Sequence, residues 1–383
     1  MTTTYSIEVF HLDRDAWVAI LAQAVAEELL DIGLHRTVSV VVTESTPATA
    51  GPVVGVYLGS VTAANNVTVG DRLTSALAAG TVIVPVVESL AEFIANVHPS
   101  LAFANGFEWS TPEDSRKLAR ILLENLGIED RERRVFISHK RDDGLGSAEQ
   151  LHDRLTHAGF RPFIDRFVIR SGEGVQASIA DALEDHAFLL LLETPLAHTS
   201  DWVFDEVDYA LTHTMGTLIL RWPGNPPRVP GSPGVPRLQI MEDELVKDAH
   251  GYDTFTDAAL DKVVGAVEAS HAQGLVRRRR MLVRSIEEAA KASGCTSCLP
   301  LPRWRLWVEH AAGPTLVGIT PRLPTATDLQ QLDLAREAAS SNPAAVLVHS
   351  ARNLRPAKRE HLKWVAGPRD LALVPENAIG SWW

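Results

Sequence analysis

The run AFLLLLE, residues 187–193, is apolar at every position but its last. A strand with one wet face alternates apolar and polar side chains, so this run implies a strand covered on both sides. GTLILRW (216–222) reads the same way, and RRVFISH (133–139) and FRPFID (160–165) are shorter β-branched or aromatic runs. Helical patterns separate them. SAEQLHDRLTHAG (147–159) puts Leu151, Leu155 and Ala158 on one face and stops at Gly159; VQASIADAL is a second amphipathic segment. Strands alternating with helices imply an α/β fold with a parallel sheet.

After Trp222 comes PGNPPRVPGSPGVPRL, which can be neither a helix nor an inner strand. It reads as a long surface loop inside this domain, since the helix TDAALDKVVGAVEASH (256–271) still needs a sheet to cover. A weak internal repeat extends the pattern. VVGVYLGS…VGDRLTSALAAGTVIVPVV (53–87) runs strand, loop, helix, Gly-Thr, strand, as 187–222 does, and 315–350 repeats that order more loosely. GFEWSTPEDSRKLARILLENLG (106–127) also resembles GYDTFTDAALDKVVGAVEASHAQG (251–274). With 383 residues, the chain divides into an α/β domain at 1–130, a central domain at 131–275 and a C-terminal α/β domain at 276–383.

A net charge of −12 argues against a general affinity for nucleic acid, and no apolar run is long enough to span a bilayer. The first thirty residues lack a secretory pattern, so a cytoplasmic address is expected. VRRRRMLVR (276–284) is the basic exception. Four adjacent arginines cannot share one helix face, so it reads as a solvated helix or linker, the sharper alternative being a local site for an acidic partner or nucleic acid. Cys295 and Cys298 form a lone CTSC followed by Leu-Pro, which reads as two ordinary thiols; no metal site is expected. LPRWRLWVEHAAGPTLVGI holds two strands about a Gly-Pro turn, and the terminal GSWW is expected to be packed.

Helical spacing sorts TSDWVFDEVDYAL (199–211). Val203, Val207, Ala210 and Leu211 form the stripe that sits on the sheet; Trp202, Glu206, Tyr209 and His213 form the next one. The plain role of Glu206 is an acid near the start of its helix, favoured by the dipole. In an open parallel sheet, however, ligands bind outside the carboxyl ends of the strands. Ser138, His139, Lys140 and Arg141 leave one such end, Asp165 through Gly174 another, and the stretch before Trp202 a third. That crevice suits a phosphorylated, aromatic, sugar-containing ligand, with Arg141 or Arg170 for phosphate and Trp202 for stacking.

VFISHKRDD, then GFRPFIDRFVIRSGEGVQASIADAL, then LLLLETPLAHTSDWVFDEVDYAL resemble the three signature blocks of a Toll/interleukin-1 receptor (TIR) domain of the bacterial type. The resemblance covers about residues 132–275. It implies a flavodoxin-like fold with a parallel five-stranded sheet, and makes the flanking thirds degenerate TIR-like candidates. It also implies that Glu206, the glutamate of a WxxxE pattern, is the catalytic residue of an NAD+ glycohydrolase or ADP-ribosyl cyclase. NAD+ is then the substrate and no cofactor is needed. Loop 165–174 matches the family's mobile BB loop, and activity gated by self-association, in antiphage defence or cell-death signalling, is the implied context. His139 and Lys140 depart from the family pattern, so His139 is expected to bind or orient rather than act as a base. Trp202, Ser138, His139, Arg141, Asp165 and Arg170 are the expected substrate-binding residues. The alternative is a non-catalytic adaptor acting through TIR–TIR assembly. In either case the flanking domains are free to bind a trigger, regulate the centre or build the oligomer.

Overall fold

The computed structural model describes residues 4–36, 38–47, 52–128, 133–164, 183, 186–301, 303–311, 313–339, 341, 343–350, 354 and 356–382. The chain forms two compact units, one of residues 1–131, 157–159 and 264–273, the other of 132–156, 160–263 and 274–383.

The first unit holds strands β1 (Thr4–Phe10), β2 (Ser39–Thr43), β3 (Val53–Leu58), β4 (Val82–Val87) and β5 (Phe107–Glu108). They pair in the order β2-β1-β3-β4-β5, all parallel. Helices α1 (Asp15–Asp31), α2 (Val61–Ala64), α3 (Val67–Ala78), α4 (Phe93–Asn96) and α5 (Pro112–Asn125) connect them. Helices α1 and α5 are locked by one carboxylate: Glu28, 2% exposed, accepts from Arg116 Nε at 2.9 Å and Arg120 Nε at 2.6 Å.

In the second unit β6 (Arg134–Ser138), β7 (Arg161–Ile164), β8 (Phe188–Glu193), β9 (Gly216–Arg221) and β10 (Arg237–Gln239) pair as β10-β9-β8-β6-β7, again all parallel. Counted in chain order, this is the topology of the first sheet. The expected flavodoxin-like parallel sheet of five strands is therefore present, and its apolar centre is β8, buried at every position. The proline-rich segment is an excursion within the sheet, because β10 rejoins it directly afterwards. The flanking likeness of 106–127 to 251–274 is looser: β5 lies in its sheet, whereas β12 (Asp253–Phe255) pairs with β11 (Leu245–Lys247) in a separate hairpin.

Helix α6 runs from Arg141 to His157, starting six residues earlier than its apolar periodicity suggests. Its first turns contain two glycines that look like loop residues but are there for space. A Cβ on Gly144 would lie 3.2 Å from His139 Cβ, and one on Gly146 would lie 2.7 Å from Tyr252 Cβ. Farther along, Gln150 accepts from Phe255 N at 2.6 Å and donates to its carbonyl at 2.9 Å, so a side chain extends the β11–β12 hairpin as a neighbouring strand would.

After α7 (Asp201–Thr212), helix α8 (Asp257–Ala292) passes without a break through the arginine run. The expectation of a solvated helix or linker is corrected here. Arg278 and Arg279 are 6% and 1% exposed. Arg278 pairs with Glu376 at 2.5 Å and donates to Ser350 Oγ at 3.2 Å, while Arg279 lies 5.1 Å over the Trp304 ring. Burial and the nearby Arg284 also lower the pKa of Arg280. Four consecutive residues point four ways around a helix, and two of those ways lead into the protein.

The third sheet comprises β13 (Ser297–Leu301), β14 (Arg305–His310), β15 (Gly313–Thr320), β16 (Ala344–His349) and β17 (Leu371–Pro375), in that order. Its first three strands form an antiparallel meander and its last three are parallel. This is α/β, but not the topology of the other two sheets. One face packs Val317, Val346 and Val348 on Leu282 and Ile286 of α8. The other packs Leu316, Ala345 and Leu347 against α9 (Ala326–Glu337) and α10 (Pro356–Ala366). Cys295 and Cys298 are unbridged, and burial, with Glu287 and Cys295 adding to it, pushes the Cys298 thiol up to about 11. Trp382 is partly buried against the same core; Trp383 lies outside the described residues. Among the described residues no helix is long and apolar enough to cross a membrane.

Candidate active site

Helix α7 begins where Ser200 caps it, the hydroxyl accepting from Val203 N at 3.4 Å. The helix buries the stripe its spacing dictates: Val203 and Val207 are 1% exposed and Ala210 0%. Glu206, in the second turn, is also buried at 5% exposure, whereas Trp202, one turn earlier, is 42% exposed. A carboxylate sunk beside an apolar stripe gains nothing as a solvated helix-capping acid. The Tyr209 and His213 rings meet at a tilt, with centroids 4.4 Å apart, one turn further on.

Strand β6 delivers Ser138 at its carboxyl end, 1% exposed and opposite Leu191 of β8. Its hydroxyl has no hydrogen-bond partner among the described residues. His139 and Lys140 are half-buried, Lys140 Nζ lying 3.3 Å from Asp142, and Arg141 opens α6 at the surface. Asp143 in the first turn of α6 then reaches across the sheet end. Its two oxygens accept from Thr194 Oγ1 and from Leu196 N, both at 2.8 Å. A Cβ on Gly144 would also meet Thr194 Cγ2 at 3.6 Å, so His139 and Thr194 close on the same glycine. The loop after β6 and the segment leading into α7 are thus held together. Asp165, Arg170 and the rest of loop 165–174 lie outside the described residues.

A second buried carboxylate escaped sequence reasoning. Glu193 ends β8 at 0% exposure and takes both arms of Arg237, Nη2 at 3.2 Å and Nε at 3.3 Å, with Arg221 Nε at 3.8 Å and Val229 N at 3.1 Å. Arg237 also donates to Ser232 Oγ at 2.6 Å, and Ser232 in turn to the Val229 carbonyl at 2.6 Å. This network ties the proline-rich loop to the sheet. An acid closing an otherwise apolar strand was the available signal, because a carboxylate there must find a cation.

Among the described residues, His11, Asp15 and Glu44 of the first unit form the one group whose donor atoms, within 4.8 Å of each other, could hold a metal. His11 Nδ1 accepts from Arg14 N at 3.1 Å, so the neutral ring carries its proton on Nε2, which faces Glu44 at 3.3 Å. A hydrogen bond accounts for that contact without an ion.

A family profile described as "TIR domain" matches residues 135–264. No curated protein matches the chain. Among solved structures, the chain is similar to the TIR domains of the activated Roq1 resistosome recognising the pathogen effector XopQ, at 16% identity over 24% of this chain. The chain spans 57% of the length of that structure's chain, and the TM-score is 0.22. A putative two-component response regulator/GGDEF domain protein is similar at 10% identity over 72% of this chain and 99% of that one, with a TM-score of 0.24.

Proposed function

Residues 135–264 are a TIR domain, and from that premise we propose that the protein is an NAD+ glycohydrolase or ADP-ribosyl cyclase. It cleaves the nicotinamide–ribose bond with Glu206 as its catalytic carboxylate, in the cytoplasm and in a self-associated state. The observation that carries this reading is a carboxylate only 5% exposed one helical turn from an indole that is 42% exposed.

The chemistry asks little more of the protein. Most glycosidases need a second carboxyl to protonate a poor leaving group. The nicotinamide of NAD+ is already a cation and departs neutral, so no general acid is required. What remains is to stabilise positive charge growing on the ribose and to hold its hydroxyls. An ionised carboxylate in a partly dry site does both. Trp202 would stack on a ring of the substrate, His139 would orient it and Arg141 would pair with its phosphates, and the Ser138 hydroxyl, without a hydrogen-bond partner among the described residues, is the kind of buried group a ligand satisfies. Asp165 and Arg170 complete the proposed binding set. The parts of the chain outside the TIR domain are assigned the detection of a trigger or the building of the assembly, in antiphage defence or cell-death signalling.

The test is release of nicotinamide from NAD+ by the purified full chain, with Glu206→Gln beside it. A loss of about a hundredfold or more with the fold intact is expected. Turnover equal to wild type in Glu206→Gln sinks the assignment. The rate per protomer should rise with protein concentration if assembly gates the site. The adaptor alternative predicts no nicotinamide at any concentration.

A further inference from the structure

The apolar run AAVLVH that forms β16 ends on a histidine. Ala345, Leu347 and His349 alternate onto the sheet face that packs against Leu362 and Ala366 of α10. His349 therefore stands at a core position, 4% exposed. In the same row lie Thr320 of β15 and Pro375 of β17. Thr320 is 2% exposed, and its hydroxyl has no hydrogen-bond partner among the described residues. At the carboxyl ends of β15 and β16 the apolar layer thus gives way to two polar side chains, with Pro375 of β17 beside them.

A cavity of about 730 Å³ opens at that row. Its apolar walls come from Leu362, Leu371 and Leu373, and His349 and Asn377 supply polar groups. Arg359 and Lys363, one helical turn apart on α10, also line it, and no carboxylate does so among the described residues. Arg359 Nη2 donates to the Leu354 carbonyl at 3.3 Å, and Lys363 Nζ meets Glu360 outside the cavity lining at 3.2 Å. His349 Nδ1 donates to the Ser350 carbonyl at 2.7 Å, since that oxygen can only accept. Nε2 of the neutral ring is left as an acceptor, and burial, by lowering the ring's pKa, keeps it neutral.

These features define a ligand. The volume is that of an organic molecule rather than an inorganic ion, and the position is where open α/β sheets bind ligands. The walls want a flat apolar body, the two cations an anionic group, and Nε2 a donor on the ring. We propose that this cavity binds a purine nucleoside monophosphate, with the phosphate on Arg359 and Lys363, the base against the leucines, and its exocyclic amine donating to His349 Nε2. The proposal does not depend on NAD+ cleavage and concerns a site outside the TIR domain.

Titration calorimetry of the full chain with AMP, adenosine and inorganic phosphate, joined to hydrogen exchange, tests it. Saturable binding of one AMP per chain is expected, with protection at residues 356–366 and 371–377. Adenosine and phosphate alone should each bind about tenfold or more weakly. Arg359→Ala/Lys363→Ala alters exposed side chains, so the fold should survive, and it should weaken AMP by a similar factor. Absence of saturation by AMP, unchanged affinity in the double variant, or protection confined to other residues overturns the proposal. Phosphate binding as tightly as AMP overturns the nucleotide assignment.

Discussion

Replacing Glu193 with glutamine separates a structural carboxylate from a proposed catalytic one within the same domain. Glu193 is fully buried and holds the guanidinium of Arg237 through two contacts of 3.2 and 3.3 Å, with Arg221 3.8 Å away. Glutamine keeps the volume and one acceptor oxygen, which can still receive Val229 N, but it removes the charge. Arg237 would then remain largely buried, with the glutamine oxygen, the Ser232 hydroxyl and the carbonyls of Ser232 and Val235 to solvate it but without its paired carboxylate. Breaking a buried pair from one side costs about 3–5 kcal/mol. The retained acceptor places Glu193→Gln at the lower end, about 3 kcal/mol. For a unit of this size that corresponds to a fall in melting temperature of about 6–12 °C. Glu193→Gln/Arg237→Gln should recover part of the loss, because it removes the more closely paired cation together with the carboxylate and leaves only the more distant Arg221 without its counter-charge. Thermal unfolding followed by calorimetry reads both variants, and hydrogen exchange over 223–236 should show that loop released first. A Glu193→Gln melting point within about 1 °C of wild type would refute the reasoning. Glu206→Gln is expected to do the reverse, leaving stability in place and removing turnover.

His349 gives a pH dependence with a definite sign. Burial holds its pKa below the ordinary 6.5, so its contribution to stability is complete above pH 6.5. It is lost as pH falls from there through the lower folded value, because the unfolded chain takes up a proton that the folded one refuses. His349→Gln should flatten stability measured between pH 7.5 and 5.5 within that window (both roughly bracketing an unperturbed histidine). Asp143→Ala removes two acceptors that fix Thr194 and Leu196. It should cost about 1–3 kcal/mol and speed amide exchange at Leu196. Gly146→Ala should destabilise by about 1–3 kcal/mol despite the better helix propensity of alanine, since the new methyl would sit 2.7 Å from Tyr252 Cβ; urea midpoints decide it.

The strands of the central domain were legible because burial on both faces leaves an unbroken apolar run, and β6, β8 and β9 fall within the quoted segments. The face of α7 was legible for a related reason: Val203, Val207 and Ala210 mark the sheet side by spacing alone. The first two turns of α6 were not, because glycines tolerated for want of room look the same in sequence as glycines that break helices. The arginine run misled in the opposite direction. Its burial depends on Glu376 and Trp304, each brought in from a distant part of the chain. The Glu193–Arg237 pair was missed on the same ground, since its partners lie on opposite sides of a proline-rich excursion. At the candidate site, Glu206 and Trp202 could be read from one helix, but the clamp from Asp143 to Thr194 and Leu196 is a through-space contact that no local pattern announces.

The first two sheets share more than strand order. In the first, Asp13 follows β1 and accepts from Ser60 Oγ at 2.9 Å and Thr62 Oγ1 at 2.6 Å, just past β3. Those hydroxyls hold its carboxyl below the usual range. In the second, Asp143 follows β6 and holds Thr194 and Leu196, just past β8. Each clamped segment then leads to a capped helix, by Asn66 on α3 and by Ser200 on α7. Six positions after the cap stands Arg72 in one helix and Glu206 in the other. Arg72 is committed to Glu8, 4% exposed, at 3.0 Å and lies 4.9 Å over Phe10. A guanidinium repels the sugar cation that a carboxylate would steady, and its partner Glu8 is already neutralised. The two sheets therefore keep the same clamp and the same helix entry but place opposite charges at the same step. On the proposed chemistry only the second is equipped to cleave, and the first retains the frame of such a site without its reactive group.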